Sequence, residues 1–452
     1  MRNPVQVINN RFLLRNTRAI LKDPVDFLGK LAQSKMPMVV TNFVGKKYFV
    51  LQHPNYIKHV LVENQKAYYK PGATNLLRYF LGEGLSTSNG ELWRRQRRIM
   101  QPAFYKQRLL PIHNVINQET SAFIKRLHSL PAETRINITH EFLQLTILII
   151  CRAMFSSALD NKMELMLNTL DQLAGYASKW MKSIIKFPAY WPTPANISFK
   201  NNCKVFDEII YEIINTRRRD IANTDLPPCD DLLNMLMCYF DEDTPDGLFE
   251  KQLRDEITTI FMAGHETTAQ TLSWIFYHLA KEKHLQHKIR EEGERFLKDR
   301  LPVFEDLSHL GYTRQVINEA LRMYPPIWAI VRKPLSTDEI DGIQIPSMSN
   351  VLINVYGIHH HPDYWDTPNS FNPNHFDLQA EQQRPQFAYL PFGVGSRHCL
   401  GSNFAIMVMQ VVVTRLSQHF EFDVPGNYTP KVEPNITLRA KDGIQLIIKK
   451  KG

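Results

Sequence analysis

The sequence predicts a mainly α-helical protein with a small β-rich part. Helical periodicity dominates from about residue 53 to about residue 326. Strand-like patterns are confined to residues 38–51, 333–355 and the C-terminal segment. The 452 residues, 44% hydrophobic and 22% charged, have the balance of an ordinary globular chain and enough length to enclose a cavity.

Along the chain, Asp23 and Pro24 open a helix with a capping side chain and a proline at its first position. Two strands follow at 38–44 and 47–51, joined through Gly45 and Lys46, and helix restarts at His53 and Pro54. The apolar run 146–152 is too short to cross a bilayer and reads as a buried helix. A Pro- and aromatic-rich segment, 187–194, reads either as a connection over a cavity or as a plain surface connector, and 241–247 as a turn-rich break. Next comes a helix from Leu248 to Lys281, about 50 Å long and expected to cross the interior. Short strands are expected at 340–345, 350–355 and 443–449.

Five residues near the C-terminus carry the chemistry: Phe392, Gly395, Arg397, Cys399 and Gly401, followed by the apolar helical run 404–413. A thiol at a helix start meets free N–H groups and the positive end of the dipole, which favours its thiolate. Gly393 and Gly395 permit a tight turn or close backbone approach, and Gly401 leaves room for a flat ligand. Arg397 offers a fixed positive charge to an anionic group. Such a socket suits a large planar metal cofactor held by one thiolate.

In the long helix lie Ala263, Gly264, His265, Glu266, Thr267 and Thr268. The small residues let something large approach, and Gly264 weakens the helix where threonine hydroxyls compete for its carbonyls, so a local opening is expected. Zinc-protease chemistry is excluded, because Ala269 stands where HExxH needs its second histidine. Glu319 and Arg322 are three apart on one helical face, suited to an ion pair, and Arg322 precedes Cys399 by 77 residues. His359, His360 and His361 have no acidic or cysteine companions and read as a turn between core segments.

The cysteine segment resembles the haem loop of the cytochromes P-450, F-x-x-G-x-R-x-C-x-G, at every fixed position. The resemblance covers nearly the whole chain with five motifs in the family's order, and implies the cytochrome P-450 fold as one domain over residues 1–452. It implies haem b bound through Cys399, with Phe392 packed near the thiolate. Trp93 and Arg97 match the family's W-x-x-x-R helix, and Arg332 a further propionate-binding arginine; with Arg397 they would anchor the propionates. It assigns Thr267 to dioxygen and Glu266 to proton relay. Glu319 and Arg322 would lock the core with a third residue, here His375 where the family usually has arginine. Family positions above the haem correspond to Ser86, Ala263 and Ile327, none of them charged.

The implied activity is monooxygenation: one oxygen atom from O2 enters an apolar substrate, a long-chain fatty acid first, then a terpenoid or steroid. A peroxide-driven peroxygenase or a non-catalytic haem sensor are the other readings, and an intact Glu266–Thr267 pair argues against both. The net charge is +9, with clusters at Arg94, Arg95, Arg97 and Arg98 and at Arg217, Arg218 and Arg219. No aromatics interleave these clusters, so nucleic acid is not expected, whereas an acidic protein partner is. No reductase segment follows the cysteine helix, so electrons are expected from a separate ferredoxin or flavodoxin. The first 22 residues lack the apolar core of a signal peptide or anchor, and the expected location is cytoplasmic without a transmembrane anchor. The five cysteines form no CxxC pair, which suggests neither a disulfide scaffold nor a zinc site.

Overall fold

The computed structural model describes all residues except 1–4, 8–12, 44, 72–74, 158–161, 184–187, 189–190, 224–230, 244–247, 299 and 452. Helices dominate, and the long helix Leu248–Lys281 runs with the bounds its periodicity predicts. We call it the central helix. Leu253, Ile257, Phe261, Ala269, Leu272 and Trp274 are buried along it. It packs against Ile138–Phe155, Gly311–Met323 and Ser402–His419 in one continuous apolar core. Burial of such surface, about 25 cal/mol per Å2, is what holds these helices together.

A six-stranded sheet forms the β-rich part, in the order Val5–Val7, Met38–Phe43, Lys46–Leu51, Asn350–Ile353, Ile330–Pro334 and Tyr68–Tyr69. The expected hairpin forms, with Thr41 opposite Tyr48 and a turn through Gly45 at φ +71°. Its second strand starts at Lys46, one residue early. The edge pairing of Tyr69 with Lys333 sets Lys70 beside the strand that carries Arg332. Asp23 caps the helix Pro24–Gln33, its carboxylate accepting from the N–H groups of Val25 and Asp26.

Two local expectations change. Residues 340–345 are not one strand, because Asp341 and Gly342, both at positive φ, turn the chain into a hairpin between Asp338–Ile340 and Ile343–Ile345. Helix Leu232–Asp243 continues through Asp241, so the break there is shorter than its polar composition suggests, and residues 244–247 lie outside the described set. Of segment 187–194, residues 187, 189 and 190 lie outside it, and Pro194 already opens the helix Pro194–Asn223. The helix Ile138–Phe155 is long and apolar enough by composition to span a membrane, but two-thirds of it (67%) is buried in the core.

Candidate functional site

The cysteine loop is fixed by its own backbone. The Cys399 N–H donates to the Phe392 carbonyl at 2.9 Å, and the His398 N–H to Gly395 at 3.0 Å. Gly393 and Gly395 take φ +66° and +73°. At Gly395 a Cβ would lie 2.1 Å from the Leu61 carbonyl oxygen, so only glycine allows this approach of two backbones. Helix Ser402–His419 begins three residues after the cysteine, with Gly401 as its cap. A side chain at Gly401 would meet only Phe104, at 3.9 Å, so the space beside Cys399 is open.

Cys399 presents accessible surface yet is heavily enclosed by protein, the combination found in a side chain lining an internal hollow. Burial pushes its thiol up. The Gly401 N–H and the Arg97 guanidinium pull it down without overcoming burial. The expected helix-start stabilisation of a thiolate is therefore real but, in the protein alone, outweighed.

Four cations converge next to this loop. Arg97 donates to the His398 carbonyl at 2.7 Å. Arg397 donates to the Ser88 carbonyl and to Asn89 Oδ1, at 3.0 and 2.9 Å, and its guanidinium lies 4.3 Å over the Trp93 ring. Among the described residues Arg332 donates only to its neighbour Val331's carbonyl, at 3.0 Å. Lys70, which the sequence reading missed, donates to the Ser86 carbonyl at 2.5 Å.

No carboxylate pairs with any of the four among the described residues. Burial pushes Arg332 and Arg397 down to about 10, with the Arg332 and Arg97 charges adding to it at Arg397. Lys70 falls to about 8, through burial first and then the Arg397 and Arg332 charges. Half-buried like charges without a carboxylate partner are costly, so the cluster suits an anion. A single thiol, an open flat space and cations suited to carboxylates fit a planar metal cofactor with acidic side groups.

On the central helix, Ala263 is exposed between buried Phe261 and His265, and so faces the hollow. Thr267 Oγ1 donates to the Ala263 carbonyl at 2.7 Å. The helix stays α-helical throughout, so the expected opening is absent: the threonine shares the carbonyl without breaking the ladder. Gly264 serves a different purpose from the one expected. A Cβ there would lie 2.8 Å from Ile150 Cδ1, and Thr146 Oγ1 donates to the His265 carbonyl at 3.1 Å. The glycine thus seats the neighbouring helix, not a ligand.

Glu266 is half-buried and has no hydrogen bond among the described residues, while burial lowers His265 and the Glu266 charge opposes that. Ser86 comes to the central helix through Thr259, Oγ to Oγ1 at 3.5 Å. Ile327 is 42% exposed and forms no hydrogen bond or ring contact with Ser86 or Ala263.

Glu319 and Arg322 form a fully buried bidentate pair, Nε to Oε2 and Nη2 to Oε1 both at 2.7 Å. His375 completes it, with Nδ1 3.1 Å from Glu319 Oε1 and Nε2 2.5 Å from the Asp366 carbonyl. The clasp reaches the cysteine loop through His359, whose carbonyl accepts from Arg322 at 2.8 Å and whose Nε2 accepts from the Leu390 N–H at 2.8 Å. Burial keeps His359 well below its ordinary value, hence neutral and able to accept. The three histidines make no metal cluster among the described residues.

On the surface, Trp93, Arg94, Arg97, Arg98, Gln101, Tyr105, Gly395 and Ser396 line an open cavity of about 450 Å3. Arg95 is not part of it. The second arginine cluster is not a patch: Arg217 is buried and grips Asp231 with both nitrogens, at 2.9 and 2.7 Å, and Arg218 pairs with Glu250. Cys151, Cys203, Cys238 and Cys399 are free thiols, and Cys229 lies outside the described residues.

A protein-family profile described as Cytochrome P450 matches residues 4–448. Human cytochrome P450 4F3 is 31% identical over 421 residues, covering 87% of this chain and 79% of its own length. The cyclooctat-9-en-7-ol 5-monooxygenase of Streptomyces melanosporofaciens is 29% identical over 422 residues, 92% of this chain and 88% of the relative. Putative cytochrome P450 132 of Mycobacterium bovis is 28% identical over 466 residues, 99% of this chain and 97% of the relative.

Proposed function

The chain belongs to the cytochrome P450 family and is a monooxygenase of the oxidoreductase class, and from that premise we propose that it oxygenates an apolar, long-chain substrate at haem b held by Cys399. The observation that carries this reading is the set of Arg97, Arg332, Arg397 and Lys70, half-buried beside the cysteine loop with no carboxylate paired to them among the described residues. When bound, haem supplies dioxygen activation, taking two electrons and two protons to place one oxygen atom in the substrate and release the other as water.

The chain's own residues do the rest. Cys399 would hold the iron as its thiolate, against the burial that raises its thiol in the protein alone. The Phe392 carbonyl holds the Cys399 N–H and fixes the sulfur's direction. Trp93, Arg97, Arg332, Arg397 and Lys70 would hold the propionates, and Gly401 would leave room for the flat ring system. Thr267 carries a hydroxyl on the wall that Ala263 opens, one residue from the half-buried Glu266 carboxyl, so the two can hand protons inward. Ser86, Ala263 and Ile327 line the substrate space. Their lack of charge favours a fatty-acid chain, with a terpenoid or steroid as the next candidate.

Electrons come from a separate acidic ferredoxin or flavodoxin that docks at the arginine-lined cavity next to Gly395 and Ser396. The reading takes residues 1–452 as one domain working in the cytoplasm, supported by the burial of the apolar helix Ile138–Phe155 in the core. Turnover with dodecanoic acid, a ferredoxin and its reductase tests it. Wild-type protein is expected to form hydroxylated product, and Thr267→Ala to consume reductant with little product. Unchanged coupling in Thr267→Ala, or product from peroxide alone at the full rate, contradicts it.

A further inference from the structure

Glu256 is fully buried on the central helix, and no cation pairs with it among the described residues. Nothing in the oxygenation chemistry uses it. Its two oxygens are nonetheless occupied: Oε2 accepts from the Leu85 N–H at 2.9 Å and Oε1 from Gln252 Nε2 at 3.0 Å. Next to it Asp255 Oδ2 accepts from the Glu83 N–H at 2.8 Å. Two consecutive carboxyl groups thus hold two alternate N–H groups of one loop, residues 82–89.

The loop lies directly on the helix. A Cβ at Gly82 would fall 2.0 Å from Asp255 Oδ2, and one at Gly84 2.3 Å from Thr259 Oγ1. No side chain could separate loop from helix there, so the hydrogen bonds set the spacing. The loop's other edge is held by the cation cluster, through Lys70 to the Ser86 carbonyl and Arg397 to the Ser88 carbonyl.

Glu256, Thr259, Ala263 and Thr267 recur at intervals of three and four and share one stripe of the helix. Glu256 is two turns, about 10.5 Å, before Ala263. Thr259 lies between them and meets Ser86. The N–H that Glu256 holds thus lies one residue before Ser86, whose hydroxyl meets Thr259 on the same stripe.

We propose that Glu256 is a positioning residue for substrate specificity: by holding the Leu85 N–H it fixes how close Ser86 stands to Ala263, and so sets the width of the substrate space. The inference rests on the reading of Ser86 as a substrate-lining residue. Burial pushes the Glu256 carboxyl up to about 8, and the hydrogen bonds from Leu85 and Gln252 oppose that rise.

The test uses the haem-loaded protein with Glu256→Leu, Glu256→Gln and Ser86→Phe. Two readouts are hydrogen exchange of the peptide covering residues 82–88 and the spin-state titration with dodecanoic acid. Glu256→Leu is expected to speed exchange of that peptide about ten-fold and to weaken dodecanoic acid binding by a similar factor, at an unchanged exchange rate in the helix Ser402–His419. Glu256→Gln keeps an acceptor for Leu85 and is expected to stay within about two-fold of wild type.

Unchanged exchange in Glu256→Leu overturns the proposal. Faster exchange with unaltered binding, while Ser86→Phe still weakens binding, also overturns it and leaves the substrate reading standing. If neither Glu256→Leu nor Ser86→Phe alters binding, the substrate-space reading falls with it. Should the leucine variant fold poorly, Glu256→Asp, one methylene shorter, must show the same local exchange increase.

Discussion

His375 Nδ1 stands 3.1 Å from Glu319 Oε1, on a carboxylate whose two oxygens are each also gripped by Arg322. Histidine thus fills the third place of the clasp with a shorter reach, and its Nε2 ties the Asp366 carbonyl into the same network. Arg384 adds a prop behind it, donating to the His375 carbonyl at 2.7 Å while stacking 4.3 Å over Trp365.

Burial pushes the Glu319 carboxyl up, but hydrogen bonds from Arg322 and His375 outweigh it and hold it below its ordinary value. The clasp's contribution is therefore present above the unfolded carboxyl's value, about 4.3, and is lost as pH falls through the lower folded one. His375→Ala should cost about 1–3 kcal/mol in urea unfolding, with Gln costing less. In Glu319→Gln the acid side of the stability curve should be shallower. Equal stability of wild type and His375→Ala would show that the histidine is not part of the clasp.

Lys70 gives a prediction whose sign depends on the bound anion. In the haem-free protein its value is pushed down to about 8, against about 10.4 when unfolded. The unfolded chain then binds the extra proton between those values, so stability rises with pH from about 8 to 10, by on the order of 3 kcal/mol at most. Lys70→Met should remove that rise and stabilise the haem-free protein at neutral pH. With haem bound the same variant should lose haem faster to an acceptor protein. A haem-loss rate unaffected by Lys70→Met would separate Lys70 from the anion site.

The arginine-lined cavity predicts a salt-dependent electron transfer. Arg94→Glu and Arg98→Glu together should slow the first reduction by an acidic ferredoxin about ten-fold at low ionic strength. The difference should shrink as salt rises, because screening weakens exposed charges beyond a Debye length of about 8 Å at physiological ionic strength. A slowing that persists at high salt would point to a folding defect.

Most of the long-range arrangement was legible because it rests on periodicity and on residues with few substitutes. The bounds of the central helix follow from its apolar spacing, and the turn around Cys399 from glycines at positive φ. Lys70 was not legible, since a lysine after a two-residue edge strand has no pattern of its own; only its pairing next to Arg332 makes it part of the cluster. Gly264 was misread because a glycine that admits a ligand and one that admits Ile150 look alike in sequence. Arg217 was misread because three adjacent arginines point in three directions around a helix, and one of them turns inward to Asp231. His359 was passed over as a turn residue because its partner, Leu390, is 31 positions away.

Cys399 as the ligand of haem is the central claim, and one spectrum tests it most directly. The purified, reduced protein under carbon monoxide should show a Soret band far to the red of a histidine-ligated haem, and Cys399→Ala should abolish that band. No bound haem, or a histidine-like band indifferent to Cys399→Ala, would contradict the account.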